Sequence, residues 1–257
     1  MSDYLPGNAL NPDYLTAVAL GNIPGACGVN ISGRKDNVAV SVLDDISQIP
    51  GVTEIPDPGG IQLAFKSSNA NDTIAGTGIQ KIKLSYLDTN WNPFTEVVEL
   101  AGVSLVNTVA TDIGFVQTIY AVQVGSTGGA VGNISLVDTG DTLVFDYLTA
   151  GGNSSLTCRY TVPATKTAYI VGWDAGAITQ KIDFRLRATV DHGDSVVVNN
   201  GIFLFKDITV IKNVSSGYNP FRIPIRLPAT AQVKISGKGG SSGGDASASI
   251  ELLLIDI

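Results

Sequence analysis

The residue best suited to chemistry in this sequence is its single histidine, His192, which lies between Asp191 and Asp194 in the segment DHGD. Two carboxylates beside one imidazole can bind a metal ion or polarise a nucleophile. The same four residues also form a tight turn between two β-rich segments, and such residues are ordinary in surface turns. We therefore favour a turn over a metal site or a Ser-His-Asp hydrolase.

Paired carboxylates and glycine-rich segments are the other patterns that suggest catalysis. Glycoside hydrolysis needs two carboxylates held across one cleft, but Glu96 and Glu99 would point to opposite faces of a strand. Asp44 and Asp45 are adjacent, and we interpret both pairs as surface acids. The segments STGGAVG and SGKGGSSGG do not have the GxxxxGK[ST] pattern of a phosphate-binding loop. The sequence predicts no enzyme and implies no cofactor or metal.

Four residues are candidates for contact with a partner: Trp91, Phe94, Arg185 and Arg187. The two aromatic residues lie in DTNWNPF, at a predicted loop tip, where an exposed ring can stack on a sugar or enter a partner's pocket. For Trp91 we favour the alternative that the ring folds back over the end of the sheet. The two arginines either pair with acids of a neighbouring subunit or remain solvated.

The segment KIDFRLRATV positions the two arginines. Its polar and apolar residues alternate, which is the period-2 pattern of a strand with one buried face. The apolar set is Ile182, Phe184, Leu186 and Ala188. This pattern predicts a strand with Phe184 inside and both arginines outside.

About a dozen short strands are predicted after residue 58, separated by Gly, Pro, Asn and Asp turns. We expect an all-β, antiparallel β-sandwich, with a jelly-roll-like sandwich over residues 150–257. Residues 58–149 would form a second sandwich or additional strands on the same one. The final strand has apolar residues on both faces, Leu252 and Leu254 on one and Leu253 on the other. It should therefore be covered on both sides.

Residues 1–57 differ from the rest because six prolines between Pro6 and Pro58 are spread through or next to them. Such a segment is a poor independent folding unit. We predict an extended N-terminal arm that lies on a neighbouring subunit, with a flexible leader as the alternative. On this interpretation, removal of residues 1–57 would leave a folded body.

The composition limits the partners and the compartment. The 257 residues carry a net charge of -7 without a dense run of Lys or Arg, which disfavours nucleic acid as a partner. No apolar stretch reaches the ~18–20 residues of a membrane-spanning helix, and no secretory signal is recognisable. For the only cysteines, Cys27 and Cys158, we favour two free, buried thiols over one long-range disulfide.

Several segments between residues 60 and 257 resemble a family of virion structural proteins from tailed bacteriophages. They are SSNANDTIAGTGIQKIKLSYLDTNWN, EVVELAGVSLVNT, VGSTGGAVGNIS, YTVPATKTAYIVGW, FRIPIRLPATAQVKISGKG and IELLLIDI. This sequence departs from the family pattern at Ala164 and Thr165 and in RLRATVDHGD, and we expect these changes to affect loops and to leave the strand framework unaltered. The family has no catalytic residues to transfer to this chain.

The resemblance implies a non-enzymatic virion protein, made in the host cytoplasm. We expect a decoration or cement protein on the capsid surface that bridges neighbouring major capsid subunits as a homotrimer. The alternative is a receptor-binding or glycan-binding module of a head or tail fibre, or a neck or tail component. A β-sandwich hydrolase that uses His192 is a third hypothesis.

Overall fold

The computed structural model describes residues 12–50, 59–178, 180–189, 203–212, 214–240 and 243–257. The one helix among these residues is α1 (Pro12–Ala19). The first nine strands are β1 (Ala26–Lys35), β2 (Asp44–Asp45), β3 (Leu63–Ser67), β4 (Ile79–Asp88), β5 (Pro93–Glu99), β6 (Val106–Asn107), β7 (Ile113–Val124), β8 (Ile134–Asp138) and β9 (Val144–Leu148). The others are β10 (Arg159–Thr161), β11 (Lys166–Ala177), β12 (Ile182–Thr189), β13 (Phe203–Ile211), β14 (Val214–Leu227), β15 (Gln232–Gly239) and β16 (Ala246–Asp256). The paired strands are antiparallel, which confirms the predicted all-β class.

Two sheets from the two ends of the chain form what we call the jelly-roll unit. The first sheet has the strand order β1-β16-β11-β14, and the second has β10-β15-β12-β13 with β2 also paired to β15. Along the chain, β11 lies in the first sheet, β12 and β13 in the second, β14 in the first, β15 in the second and β16 in the first. The two sheets contain nine strands, and the alternation of β11 to β16 between them is that of a jelly roll, as predicted for the C-terminal part of the chain.

The chain between β2 and β10 builds two further sheets, which we call the inserted unit (residues 59–149). Their strand orders are β6-β3-β8-β9 and β5-β4-β7. Side chains from both sheets, including Phe65, Leu84, Ile119 and Phe145, form a core separate from that of the jelly-roll unit. The domain boundaries 58–149 and 150–257 stay a prediction.

Strand β12 shows how the sequence pattern builds the jelly-roll core. Its residues from Ile182 to Ala188 are alternately buried and half-buried, and Phe184 is fully buried. Phe184 belongs to one core with Trp173 of the first sheet and Ile235 of β15. The predicted inside and outside of this strand are therefore confirmed.

The predicted extended arm is wrong for the described residues 12–50. Strand β1 pairs with β16 over ten positions, from Ala26 opposite Ile255 to Lys35 opposite Ala246. Val38 and Ile46 are buried in the jelly-roll core. The prolines do not interrupt this stretch, because none occurs between Pro24 and Pro50. The remainder of the predicted arm, residues 1–11 and 51–57, lies outside the described residues.

Helix α1 covers the outer face of the final strand, β16. Tyr14 and Val18 of the helix pack against Leu253. On the opposite face of β16, Leu252 and Leu254 belong to the jelly-roll core. The prediction that this strand is covered on both sides is confirmed, with the unpredicted helix α1 as the cover of its outer face.

Both cysteines are free, as predicted, but only one is buried. Cys158 lies in the jelly-roll core, where burial raises the pKa of its thiol. Cys27 is exposed, contrary to the prediction, because β1 is an edge strand of its sheet and much of it faces solvent.

A buried polar cluster joins the inserted unit to the jelly-roll unit. Asp146 of β9 accepts hydrogen bonds from the Ser155 hydroxyl at 3.0 Å and the Thr157 hydroxyl at 3.1 Å. The Arg159 guanidinium of β10 donates to the carbonyl of Phe145. Burial raises the pKa of Asp146, and the charge of Arg159 opposes that rise. The cluster holds β9, the last strand of the inserted unit, against the segment that returns to the jelly-roll unit.

Candidate functional site

The residues considered for catalysis are in part outside the described structure, and the two described glutamates bind neighbouring groups of the fold. His192 and its two aspartates lie outside the described residues. In the described ranges, no group of three or more His, Cys, Asp and Glu side chains could hold a metal ion. The Glu96 carboxylate accepts hydrogen bonds from the amides of Val109 and Ala110 at 2.6 and 3.1 Å, while Glu99 pairs with Lys81 at 2.7 Å. Glu96 and Glu99 thus have separate structural partners.

The aromatic residues near the predicted loop tip differ in their accessibility. Trp91 is half-buried in the turn between β4 and β5, with a left-handed φ of 64°, and its carbonyl accepts a hydrogen bond from the Ala164 amide at 3.0 Å. Phe94 is 49% exposed and stacks on Tyr86, with ring centroids 6.0 Å apart. Of the two rings, Phe94 is the more accessible to a partner.

The two arginines of β12 find their partners within the chain. Arg185 pairs with Asp183 at 2.9 Å and lies over the ring of Phe205 at 4.7 Å. Arg187 pairs with Asp45 at 2.9 Å and lies 5.7 Å from the ring centroid of Phe203. Both arginines thus pair with acids of their own chain, which neither of the two predicted alternatives included. As contacts with a partner, all four candidate residues stay predictions.

Asp45 of β2 is the centre of a charged cluster on the outer face of the second sheet. It accepts hydrogen bonds from Arg187 and Lys234, both at 2.9 Å, and from the Ser236 hydroxyl at 2.6 Å. Burial by itself would raise the pKa of Asp45. The charge and hydrogen bond of Lys234, the Ser236 hydroxyl and the charge of Arg187 outweigh burial, so the pKa is held below its ordinary value. The cluster ties β2 to β15 and β12.

Replacing Asp45 by Asn should lower the free energy of unfolding by ~1–3 kcal/mol at pH 7, because two cations lose their carboxylate. A carboxyl whose pKa is depressed by folding stabilises the protein above its unfolded pKa of about 3.9, and this contribution is lost as the pH falls through the folded value. The difference between Asp45→Asn and the wild type should therefore shrink below about pH 4. Urea unfolding of both proteins at pH 7 and pH 3 measures this difference in the free energy of unfolding.

The matched control for this prediction is Asp36→Asn, which removes an exposed ion pair with Arg34. Exposed pairs contribute roughly 0–1 kcal/mol, so this variant should unfold almost like the wild type at both pH values. Equal losses for Asp45→Asn at pH 7 and pH 3 would show that the charge of Asp45 is not what stabilises the cluster.

One side of the jelly-roll unit, which we call the open side, is the surface best suited to binding a partner. It consists of β13, the edge strand of the second sheet, and β14, the edge strand of the first, and the two strands touch. Large apolar side chains are exposed along both strands: Leu204, Phe205, Ile208, Val210, Tyr218 and Ile223. Among the described residues, neither strand has a pairing partner on its outer edge. Unpaired edges and exposed apolar side chains together are features of association surfaces.

The open side is also basic, although the whole chain is acidic. Residues 203–226 contain one acid, Asp207, whose carboxylate accepts a hydrogen bond from the Trp173 indole at 2.9 Å. The cations of the same stretch are Lys206, Lys212, Arg222 and Arg226. The Tyr218 hydroxyl donates a hydrogen bond to Glu251 at 2.8 Å, and burial together with this bond raises the pKa of Tyr218 to about 12. A partner for this side needs apolar and acidic groups.

Sequence reasoning missed the open side for a physical reason. The segment FLFKDITVI has apolar residues at both odd and even positions, a pattern typical of a strand buried on both faces. Only the strand order places it at an edge, where Phe205, Ile208 and Val210 remain exposed.

Comparisons with known proteins give little further information. No family model and no curated protein sequence matches this chain. The chain is similar to solved structures from infectious bursal disease virus. For the Gx strain the identity is 11% and the TM-score 0.26, over 90% of this chain and 72% of that chain. For the VP2 subviral particle the values are 9% and 0.19, over 91% and 77%.

TM-scores this low do not establish a common fold. The resemblance to tailed-phage virion proteins is supported by no family or sequence match and stays a prediction. Among the described residues, no helix combines the length and hydropathy that crossing a membrane requires.

Proposed function

We propose that this protein is a non-enzymatic structural protein of a virus particle. The observation that carries the proposal is the open side, where a jelly-roll unit leaves two unpaired edge strands, each with exposed apolar side chains. Jelly rolls occur in viral capsid domains, lectins and cupins, and an unpaired edge strand is a template for pairing with another chain. In an assembly, a neighbouring chain would cover these edge strands.

In its specific form, the proposal is a decoration or cement protein on the surface of a tailed-phage head. It would sit as a homotrimer on neighbouring major capsid subunits and stabilise them by adding buried interface area. Several weak contacts per trimer would act together, so attachment would depend on the trimer as well as on each contact. The support for this form is the sequence resemblance together with the open side.

The second candidate function is a receptor-binding or glycan-binding module of a head or tail fibre, or a neck or tail component. The observation that favours it is the exposed ring of Phe94, since partly exposed aromatic rings stack well on sugars. The number of copies in purified particles separates the two functions. Hundreds of copies per particle indicate a decoration protein, whereas a handful indicates a fibre or neck component.

A substitution on the open side tests the proposal. In the open-side variant, Phe205→Ser with Ile223→Ser, two side chains that are 50% and 84% exposed lose their apolar surface. We expect a folded protein whose copy number in particles falls at least tenfold, because assembly loses its apolar contact. Quantitative mass spectrometry of purified particles measures the copy number.

The matched control replaces two exposed apolar residues elsewhere, Leu20→Ser with Val42→Ser, and should enter particles like the wild type. Circular dichroism of both variants confirms that they fold. Wild-type copy number for the open-side variant would contradict the role of this side. Absence of the wild-type protein from every particle would overturn the proposed function itself.

A further inference from the structure

The inserted unit has a second side with unpaired edges, which we call the β5–β6 side. Strand β5 is the edge of one sheet of this unit and β6 is the edge of the other. The two edges are held together because the Glu96 carboxylate of β5 accepts hydrogen bonds from the amides of Val109 and Ala110, just after β6. Exposed apolar side chains follow this side: Phe94, Val97, Val103, Leu105 and Val109.

The charges of the two sides are opposite. Residues 93–112, which form the β5–β6 side, contain Glu96, Glu99 and Asp112 and no Lys or Arg. Glu99 shares its charge with Lys81 of β4, whereas the carboxylates of Glu96 and Asp112 have no ion pair among the described residues. The open side has four cations and one acid over residues 203–226. With the adjoining Lys81 and Lys83 of β4 counted, the β5–β6 side is still net acidic. With Glu251, the hydrogen-bond partner of Tyr218, counted, the open side is still net basic.

We propose that a second copy of this chain occupies the open side, and that it binds there through its β5–β6 side. This inference rests on the proposed structural function and names the neighbour that the open side contacts. Apolar surface would be buried from both sides, and the opposite charges would steer and orient the encounter. Pairing two open sides with each other would instead bring cations against cations, which opposes association.

Contact between two different surfaces has a consequence for the assembly. In a head-to-tail dimer, one copy keeps a free open side and the other keeps a free β5–β6 side. Further copies can bind to these free sides, and the chain of copies closes into a ring when the rotation between neighbours permits it. A ring of three copies is the smallest that goes beyond a dimer and agrees with the expected homotrimer. In that ring, both apolar sides of every copy are covered.

A mixing experiment tests the head-to-tail arrangement. The open-side variant keeps its β5–β6 side intact, and a second variant, Val103→Ser with Val109→Ser, keeps its open side intact. The substituted valines are 60% and 86% exposed, so the fold should tolerate both changes. Analytical ultracentrifugation of the full chain should show closed oligomers for the wild type and monomers for each variant alone. An equimolar mixture of the two variants should form heterodimers and nothing larger, because only one intact interface remains.

Other outcomes overturn the inference in distinct ways. If the Val103→Ser/Val109→Ser variant assembles like the wild type, the open side has a different occupant. If the mixture stays monomeric while both variants keep the circular dichroism spectrum of the wild type, the two sides do not bind each other. If 1 M salt leaves the oligomers unchanged, attraction between the basic open side and the acidic β5–β6 side does not contribute to assembly, because salt screens such attraction. A wild-type monomer that is still abundant in particles would refute this inference and leave the proposed function standing.

Discussion

Deleting residues 1–50 should abolish the cooperative unfolding transition of the jelly-roll unit. The deletion removes α1, β1 and β2, so β16 loses a partner along ten residues and Leu253 loses the helix that covers it. It also removes Val38 and Ile46 from the core. The large buried side chains lost with the segment are Tyr14, Val18, Val38, Ile46 and Ile49. At roughly 2–5 kcal/mol each, their loss matches or exceeds the roughly 5–15 kcal/mol that stabilises a typical protein. Near-UV circular dichroism and urea titration measure the result.

A pair of single substitutions in β1 tests the same packing without a deletion. A Cβ at Gly33 would lie 2.2 Å from the carbonyl oxygen of Ile46 and 2.5 Å from Cβ of Cys158. Gly33→Ala should therefore cost at least ~1–3 kcal/mol through overpacking. The matched control is Gly28→Ala in the same strand, where nothing lies within 4 Å of the added Cβ.

The deletion has its own contradicting outcome. A soluble protein that unfolds cooperatively without residues 1–50 would show that this segment is an extended arm and does not complete the jelly-roll unit.

Replacing Phe184 by Ala should lower the free energy of unfolding by ~3–5 kcal/mol. The side chain is 0% exposed and lies between the two sheets of the jelly-roll unit, so its removal leaves a cavity that the rigid strands cannot fill. Urea unfolding monitored by fluorescence gives the difference from the wild type.

The control for this substitution is Phe205→Ala on the neighbouring strand. Phe205 lies on the outer face, half-exposed and in contact with Arg185, and its removal should cost about 1 kcal/mol or less. A loss below ~1 kcal/mol for Phe184→Ala would show that the two faces of β12 were assigned the wrong way round.

The class of the fold and the faces of its strands could be predicted because they depend on local periodicity. The alternation in KIDFRLRATV placed Phe184 inside and Arg185 outside, and the two-sided apolar pattern of the last strand indicated cover on both faces. Each of these features depends on about ten consecutive residues, because side chains on a strand alternate between its two faces. Turn residues marked the ends of the strands in the same local way.

The pairing of strands was decided only by the tertiary structure. Asp45 and Ser236 are 191 residues apart in the chain, yet their hydrogen bond joins β2 to β15. Strand β1 was predicted to be part of an extended arm, but it pairs with β16 in the first sheet. A strand pattern states which face is buried but not which strand lies beside it. For the same reason the open side could not be foreseen. The sequence shows that Phe205 and Ile208 are apolar, while the position of β13 at a sheet edge leaves them exposed.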